Sequence, residues 1–182
     1  FDNVTFLMGD VLFVNAQFAD SRVSFKSANF GQGKVDFHYS KFGKGNITFD
    51  KATFGGGEVS FKRVDFGSGK VDFKRANFGD GLIDFSESEF NGTKVIFRST
   101  QFGQGKIVFD QMIATSDFTF DNAEFGVGSL SFFQAKAKSL SFQFCELNNH
   151  IDLRVTEVSF IDISNTIVRD IIDLMPNEKC KV

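Results

Sequence analysis

The chain has very little of the residue types on which catalytic sites and disulfide scaffolds usually depend. Its 182 residues include no Trp, one Pro, one Tyr, two Cys and two His. Two Cys are too few for a disulfide-rich scaffold. Two distant His residues offer little for a hydrolytic triad or a metal site. No apolar run approaches the roughly 18 residues of a membrane-spanning helix. We therefore expect a chain that is not an enzyme, with no catalytic residue, cofactor, metal or membrane segment.

Phe, in contrast, occurs 27 times and follows a strict period. One series runs from Phe1 to Phe109 in steps of twelve, and a second runs from Phe6 to Phe102 in the same step. An apolar residue stands two positions before most of these Phe residues, as Val71 does before Phe73. This alternation is typical of a strand with one buried face, whereas a helix needs sustained spacings of three and four.

All 17 Gly residues fall within three positions after a Phe, fifteen of them after a Phe of the second series and the last two after Phe125. Gly is favoured where a corner is tight or φ is positive. The corner positions are represented by Gly67, Gly69, Gly79 and Gly81. Short strands that alternate with corners at a fixed period predict an all-β fold, a β-solenoid.

The core of this solenoid is predicted to consist of stacked Phe side chains. One twelve-residue repeat would enclose a lumen of about 25 Å², although its side chains need about 77 Å². Two repeats enclose roughly 170 Å² against about 154 Å² needed, which predicts two repeats per coil and about seven coils. The predicted core residues are Phe25, Phe30, Phe37, Phe42, Phe49, Phe54, Phe61, Phe66, Phe73, Phe78, Phe85, Phe90, Phe97 and Phe102.

The repeat resembles the pentapeptide-repeat family. Ala76-Asn77-Phe78 has the small residue, the polar residue and the central large residue of that family's unit, and the step from Phe73 to Phe78 has its length. The seven-residue step from Phe78 to Phe85 departs from the family by two residues, which we place in the Gly corner. The resemblance covers nearly the whole chain and implies a right-handed, quadrilateral β-helix.

The repeat divides the chain into predicted regions. Residues 1–174 form one solenoid, with Gly-rich repeats in 1–128, shorter tandem pentapeptides in 129–174, and a polar tail in 175–182. Residues 165–175 also fit a short amphipathic helix that ends before Pro176, as an alternative to further strands. Because Phe1 begins inside a repeat, we expect the chain to be a piece of a longer protein. The sequence does not indicate a cellular compartment. The N-terminal edge of the first coil is then expected to be uncapped, which predicts self-association through that edge, with a homodimer as one form.

Charge is distributed unevenly along the rod. Residues 34–78 carry a net positive charge, while the chain as a whole has a net charge of −3. A basic interaction surface is indicated by Lys62, Arg63, Lys74 and Arg75. With two repeats per coil, the first two of these residues lie on the opposite side of the rod from the last two.

A few other polar residues need an interpretation. Asp36, Asp72 and Asp84 point outward and are expected to be solvated, so that replacing Asp72 should cost under about 0.5 kcal/mol. His38 and His150 are expected at the surface. Cys145 takes the small inward position and should be an inert thiol. Cys180 is expected in the exposed tail.

The favoured function is a structural or protein-interaction module, a rigid rod that presents a lattice of side chains to a protein partner. Some members of the family that the repeat resembles mimic DNA and bind a type II topoisomerase, but such mimicry needs a densely acidic surface. Ice binding by a Thr ladder is a second alternative. No nucleic-acid partner is expected, because no exposed aromatic platform accompanies the basic residues.

Overall fold

The computed structural model describes residues 1–92 and 94–174, and all of its regular structure is β. The chain forms a parallel solenoid of about seven turns. The strands are β1 (Val11–Leu12), β2 (Val23–Ser24), β3 (Val35–Asp36), β4 (Ile47–Thr48), β5 (Val59–Ser60), β6 (Val71–Asp72), β7 (Ile83–Asp84), β8 (Glu89–Phe90), β9 (Lys94–Ile96), β10 (Ile107–Val108), β11 (Ile113–Ala114), β12 (Asp117–Thr119), β13 (Leu130–Ser131), β14 (Lys136–Ser141), β15 (Glu146–Leu147), β16 (Ile151–Leu153), β17 (Glu157–Asp162), β18 (Ile167–Val168) and β19 (Ile172–Leu174).

Four parallel ladders run along the rod, one for each side of the predicted quadrilateral. The first face consists of β2, β4, β6, β9, β12, β14 and β17. The second face consists of single bridges such as Thr53 to Asn77, followed by β15 and β18. The third face consists of β1, β3, β5, β7, β10, β13, β16 and β19. The fourth face begins with bridges such as Lys41 to Asp65 and continues through β8, β11 and the start of β14.

Two repeats form each coil, as the volume argument predicts. Val35 pairs with Val59, and Val59 pairs with Ile83, so that neighbouring strands are two repeats apart in sequence. The coil shortens after β10 and again in the Gly-poor part, where Leu130 pairs with Ile151. The all-β solenoid and its number of coils are confirmed, while its right-handed sense stays a prediction.

Phe rings fill the interior in columns that follow the coils. The fourteen predicted core residues are all buried. Phe73 stacks on Phe49 at 4.8 Å and on Phe97 at 4.9 Å between ring centroids, with nearly parallel planes. It meets Phe85 of the same coil edge to face at 5.6 Å. Both geometries are favoured by the ring quadrupole, so each ring is held by its own column and by a neighbouring one.

The corner after each Phe of the first series contains a feature that the sequence pattern did not reveal. Its third residue has positive φ without being Gly, as at Arg75 with φ 57°. The corner is a tight turn in which the Ala76 N–H donates to the Phe73 carbonyl at 3.0 Å. Positive φ at the third position is typical of a type II turn. Side chains in this slot range from Ser to Tyr and Arg, so no residue type marks the slot in the sequence.

Outward carboxylates on the strands cap these turns, which corrects the expectation that they are simply solvated. The backbone N–H of Lys74 donates to Asp72 Oδ1 at 3.0 Å, and Lys70 Nζ lies 2.8 Å from the second oxygen. Asp36 is buried. The reason is that the carboxylate reaches the turn two residues later and satisfies an N–H that the ladder leaves free. Bonds of the same kind are made by Asp36, Asp84, Asp152 and Asp162.

The corners with Gly are shaped by contact between coils. Gly79 has positive φ, 66°, as expected for a corner Gly. Gly81 does not have positive φ. A side chain is excluded at this position because a Cβ there would lie 2.0 Å from the Gly57 carbonyl oxygen of the preceding coil. Gly is therefore required at the second position for close approach of two backbones rather than for its dihedral freedom.

The last coils continue the ladder rather than ending in a helix. Within residues 165–174, β18 pairs with β15 and β19 pairs with β16, so the helix considered from the sequence is wrong there. Pairing with the preceding coil satisfies the backbone groups that a helix would have bonded internally. Met175 and the predicted polar tail, 175–182, lie outside the described residues.

We expect Phe73→Ala to lower the free energy of unfolding by about 3–5 kcal/mol, because it leaves a ring-sized cavity in a packed column. Asp72→Ala should lower it by about 1 kcal/mol, because one capping hydrogen bond is lost. Urea unfolding followed by circular dichroism measures both. Equal losses at these adjacent positions would contradict the inside and outside assignment.

We also expect Gly81→Ala to destabilise the rod by about 1–3 kcal/mol or more, because the new methyl group overlaps the backbone of the preceding coil. Gly56→Ala is the matched control, since its Cβ would meet nothing nearer than Gln32 Oε1 at 3.4 Å. Thermal unfolding of both variants tests this. Similar melting temperatures for the two would show that the coils are not in close contact at this corner.

Candidate functional site

The four basic residues selected from the sequence lie on two diagonally opposed corners. Lys62 and Arg63 follow β5 and turn the chain from the third face to the fourth. Lys74 and Arg75 follow β6 and turn it from the first face to the second. The structure thus separates them into two pairs, in agreement with the two-repeat coil.

The corner at Arg63 carries a column of three interacting side chains, Tyr39, Arg63 and Glu87, each from a successive coil. Arg63 Nη1 donates to the Tyr39 hydroxyl at 2.6 Å, and Nε donates to Glu87 Oε2 at 2.7 Å. The guanidinium also lies 5.6 Å from the centroid of the Tyr39 ring. Lys62 Nζ lies 3.5 Å from Glu87 Oε1. We call Tyr39, Arg63 and Glu87 the Tyr39 column.

The electrostatics of the Tyr39 column favour the charged forms of Glu87 and Arg63. The hydrogen bond from Arg63 lowers the pKa of Glu87, and the same bond raises the pKa of Arg63. Exposed ion pairs of this kind contribute little to stability. Their effect here is to fix the position of a large, partly exposed aromatic ring and a guanidinium at the surface.

The opposed corner is arranged differently. Arg75 Nη2 lies 2.8 Å from Asp50 Oδ1 of the preceding coil, and Nε reaches the same oxygen at 3.2 Å. Lys74 makes no ion pair with any described residue. This corner offers charged groups without an aromatic side chain beside them.

The two His residues occupy different environments. His38 is half-buried rather than fully solvated, and its ring stacks on Tyr39 with centroids 4.1 Å apart. Its Nε2 is enclosed and has no hydrogen-bond partner among the described residues. His150 is at the surface, with Nε2 2.8 Å from Asp173 Oδ2. The correction for His38 arises because the neighbouring Tyr ring covers its face.

Cys145 is buried, as predicted, and its thiol donates to the Phe120 carbonyl at 3.2 Å. Burial raises the pKa of this thiol to about 11, so it is protonated at neutral pH and a poor nucleophile. Cys180 lies outside the described residues.

Within residues 1–92 and 94–174, no three His, Cys, Asp or Glu side chains are grouped so as to hold a metal ion. The same part of the chain contains no helix long and apolar enough to cross a membrane.

The first coil exposes several apolar side chains, among them Leu7, Met8 and Leu12. They lie at the edge through which the sequence predicts a homodimer. That association stays a prediction.

Sequence reasoning missed the partners that organise each basic corner. Tyr39, Glu87 and Asp50 become neighbours of Arg63 and Arg75 only through the stacking of coils. The available signal was the two-repeat coil itself, because it makes residues 24 positions apart, such as Tyr39 and Arg63, adjacent on one corner.

Comparison with known proteins adds no relative from which a function could be transferred: the chain matches no protein-family model, and a search of curated proteins finds no match. The resemblance to pentapeptide repeats therefore rests on the sequence period and on the geometry of the solenoid.

Proposed function

We propose that this chain is a non-catalytic protein-interaction module, and that the Tyr39 column is the centre of the surface that binds a protein partner. The observation that carries the proposal is the ordered contact of Arg63 with both Tyr39 and Glu87 across three coils. Tyr and Arg are the residue types most enriched at the centres of protein interfaces.

The solenoid supports this proposal by fixing the surface before a partner arrives. Tyr39 and Arg63 are held on backbone positions that the parallel ladders of the third and fourth faces define. A preorganised surface loses less side-chain entropy on binding, so more of the contact energy appears as affinity.

We further propose that the chain is a divergent pentapeptide-repeat protein. The five-residue step is the part that supports this, because Ala76 and Phe78 are both fully buried, as the family's small and central residues would be. The Gly corners add two residues to every second step. In this interpretation they widen one corner without disturbing the inward positions.

Several observations favour binding through the Tyr39 column over the alternatives considered from the sequence. The acidic residues Asp50, Glu87 and Asp121 each pair with an Arg of a neighbouring coil, which does not favour mimicry of DNA by a free acidic surface. The outward column of the first face contains Asp72 and Ile96 among its hydroxyl residues, which does not favour an ice-binding Thr ladder.

The experiment compares two double variants that keep the corner backbone intact. Tyr39→Asn/Arg63→Asn removes the centre of the surface, and Asn already occupies this slot with positive φ at Asn15. Arg75→Asn/Ser99→Asn on the opposed corner is the matched control, where Asn122 has the same conformation. Wild-type protein captures partners from an extract of the source cells, and the affinity of each purified partner for all three proteins is then measured.

We expect the first double variant to bind at least about tenfold more weakly, the loss typical of an interface hot spot, and the control to bind within about twofold of wild type. Equal losses in both variants would remove the Tyr39 column from the interface. Failure to capture any protein, together with measurable turnover of a substrate by the pure chain, would overturn the interaction module itself.

A further inference from the structure

A cluster of cations lies on the first face, away from the Tyr39 column. Two neighbouring rows of the ladder carry Lys70, Asp72 and Lys74 in one coil and Lys94, Ile96 and Arg98 in the next. Together with Thr119 of the following coil, these six residues line a depression of about 220 Å³. Parallel strands lie about 4.8 Å apart, so the four cations lie close to one another, and Asp72 is the one carboxylate among the residues that line the depression.

The charges in this depression are only partly neutralised. Asp72 is already engaged by the Lys70 ammonium and by the backbone N–H of Lys74. Arg98 Nη2 reaches Asp121 of the following coil at 3.3 Å. Lys74 and Lys94 form no ion pair with the described residues, although Lys94 lies opposite Asp117 in the ladder and helps to lower the pKa of that carboxyl. The depression therefore has an excess of positive charge that faces solvent.

One backbone donor in the depression also lacks the acceptor that several of its equivalents have. At this position of the turn, the N–H of Asp50 is accepted by Thr48 and the N–H of Lys74 by Asp72. In the next coil the capping position is Ile96, which has no acceptor atom. No described residue accepts a hydrogen bond from the Arg98 N–H. Apolar residues take the capping position elsewhere, at Leu12 and Val108, but without four surrounding cations.

We propose that this depression binds a phosphoryl dianion, whose oxygens take the place of the missing capping carboxylate. One oxygen accepts the Arg98 N–H, and the others lie among the ammonium groups of Lys74 and Lys94. A backbone donor combined with converging cations is a common arrangement for phosphate. The volume of about 220 Å³ leaves room for one phosphoryl group and its hydration. The site does not depend on the proposed protein contact, since that contact lies on another corner.

Titration with sodium phosphate, followed by ¹H–¹⁵N NMR at constant ionic strength, tests the proposal. We expect a saturable shift of the Arg98 amide with inorganic phosphate and no comparable shift with chloride. Lys74→Gln/Lys94→Gln should weaken binding at least tenfold. Lys41→Gln/Lys106→Gln is the control of equal charge change on other faces and should stay within twofold of wild type. If both double variants weaken phosphate binding equally, the effect is general charge attraction, which would contradict a specific site.

Substitution of Ile96 separates the backbone donor from the charge. Ile96→Asp supplies the capping carboxylate and should abolish phosphate binding, while preserving a folded amide spectrum. Ile96→Asn supplies a neutral oxygen to the same N–H and should weaken binding at least threefold, although every cation remains. If Ile96→Asn binds phosphate as tightly as wild type, the Arg98 N–H is not a ligand. The same conclusion follows if Ile96→Asp still binds phosphate.

The source of the phosphoryl group is distinguished by a second titration with a phosphoserine peptide that carries no other charged side chain. A lower dissociation constant for the peptide than for inorganic phosphate assigns the site to a phosphorylated protein segment, and an equal constant assigns it to the free ion. Both results support the site. A peptide that shifts no resonance of Lys74, Ile96 or Arg98, together with a flat phosphate titration, contradicts it.

Discussion

The spacing between neighbouring coils is the constraint on which the rest of this structure depends. Parallel strands hydrogen-bond at about 4.8 Å, and every coil must repeat at that distance along the rod. Phe rings satisfy it because flat rings in neighbouring coils stack at nearly the same separation, 4.8 Å for Phe49 on Phe73 and 4.7 Å for Phe54 on Phe78. A ladder that fixes the backbone and a core that packs at the same interval reinforce each other, as expected for a repeat architecture.

The same spacing determines what the outer surface can do. Residues 24 positions apart become neighbours, so Tyr39, Arg63 and Glu87 interact although they are distant in sequence. It also places like charges in adjacent rows, as on the first face around Asp72. Whether a row is neutral or charged then depends on single positions. In the same way, the single residue Ile96 in the capping column leaves the Arg98 N–H without an acceptor.

Much of the fold follows from the Phe spacing alone, because inward positions at a fixed period leave few architectures open. The volume of the Val, Phe, Ala and Phe side chains was sufficient to choose two repeats per coil.

The role of Asp72 could not be found in this way, because an outward position was equated with a solvated one. Its carboxylate instead bonds the turn that follows. The positive φ of Arg75 was also missed, since nothing in the side chain marks the conformation that the turn imposes. The charged corners needed the register first, and only then could Arg63 be paired with Glu87.

The pairing of residues two repeats apart is the central claim, and disulfide cross-linking tests it most directly. In a Cys145→Ala/Cys180→Ser background, Thr53→Cys/Asn77→Cys places two thiols on bridged positions of the second face. Their Cα separation of about 4.8 Å is within the range that a disulfide spans. Thr53→Cys/Asp65→Cys instead places them one repeat apart, on the second and fourth faces. Mild oxidation should cross-link the first pair within one molecule and leave the second pair reduced. Cross-linking of the second pair in preference to the first would show one repeat per coil and contradict the account.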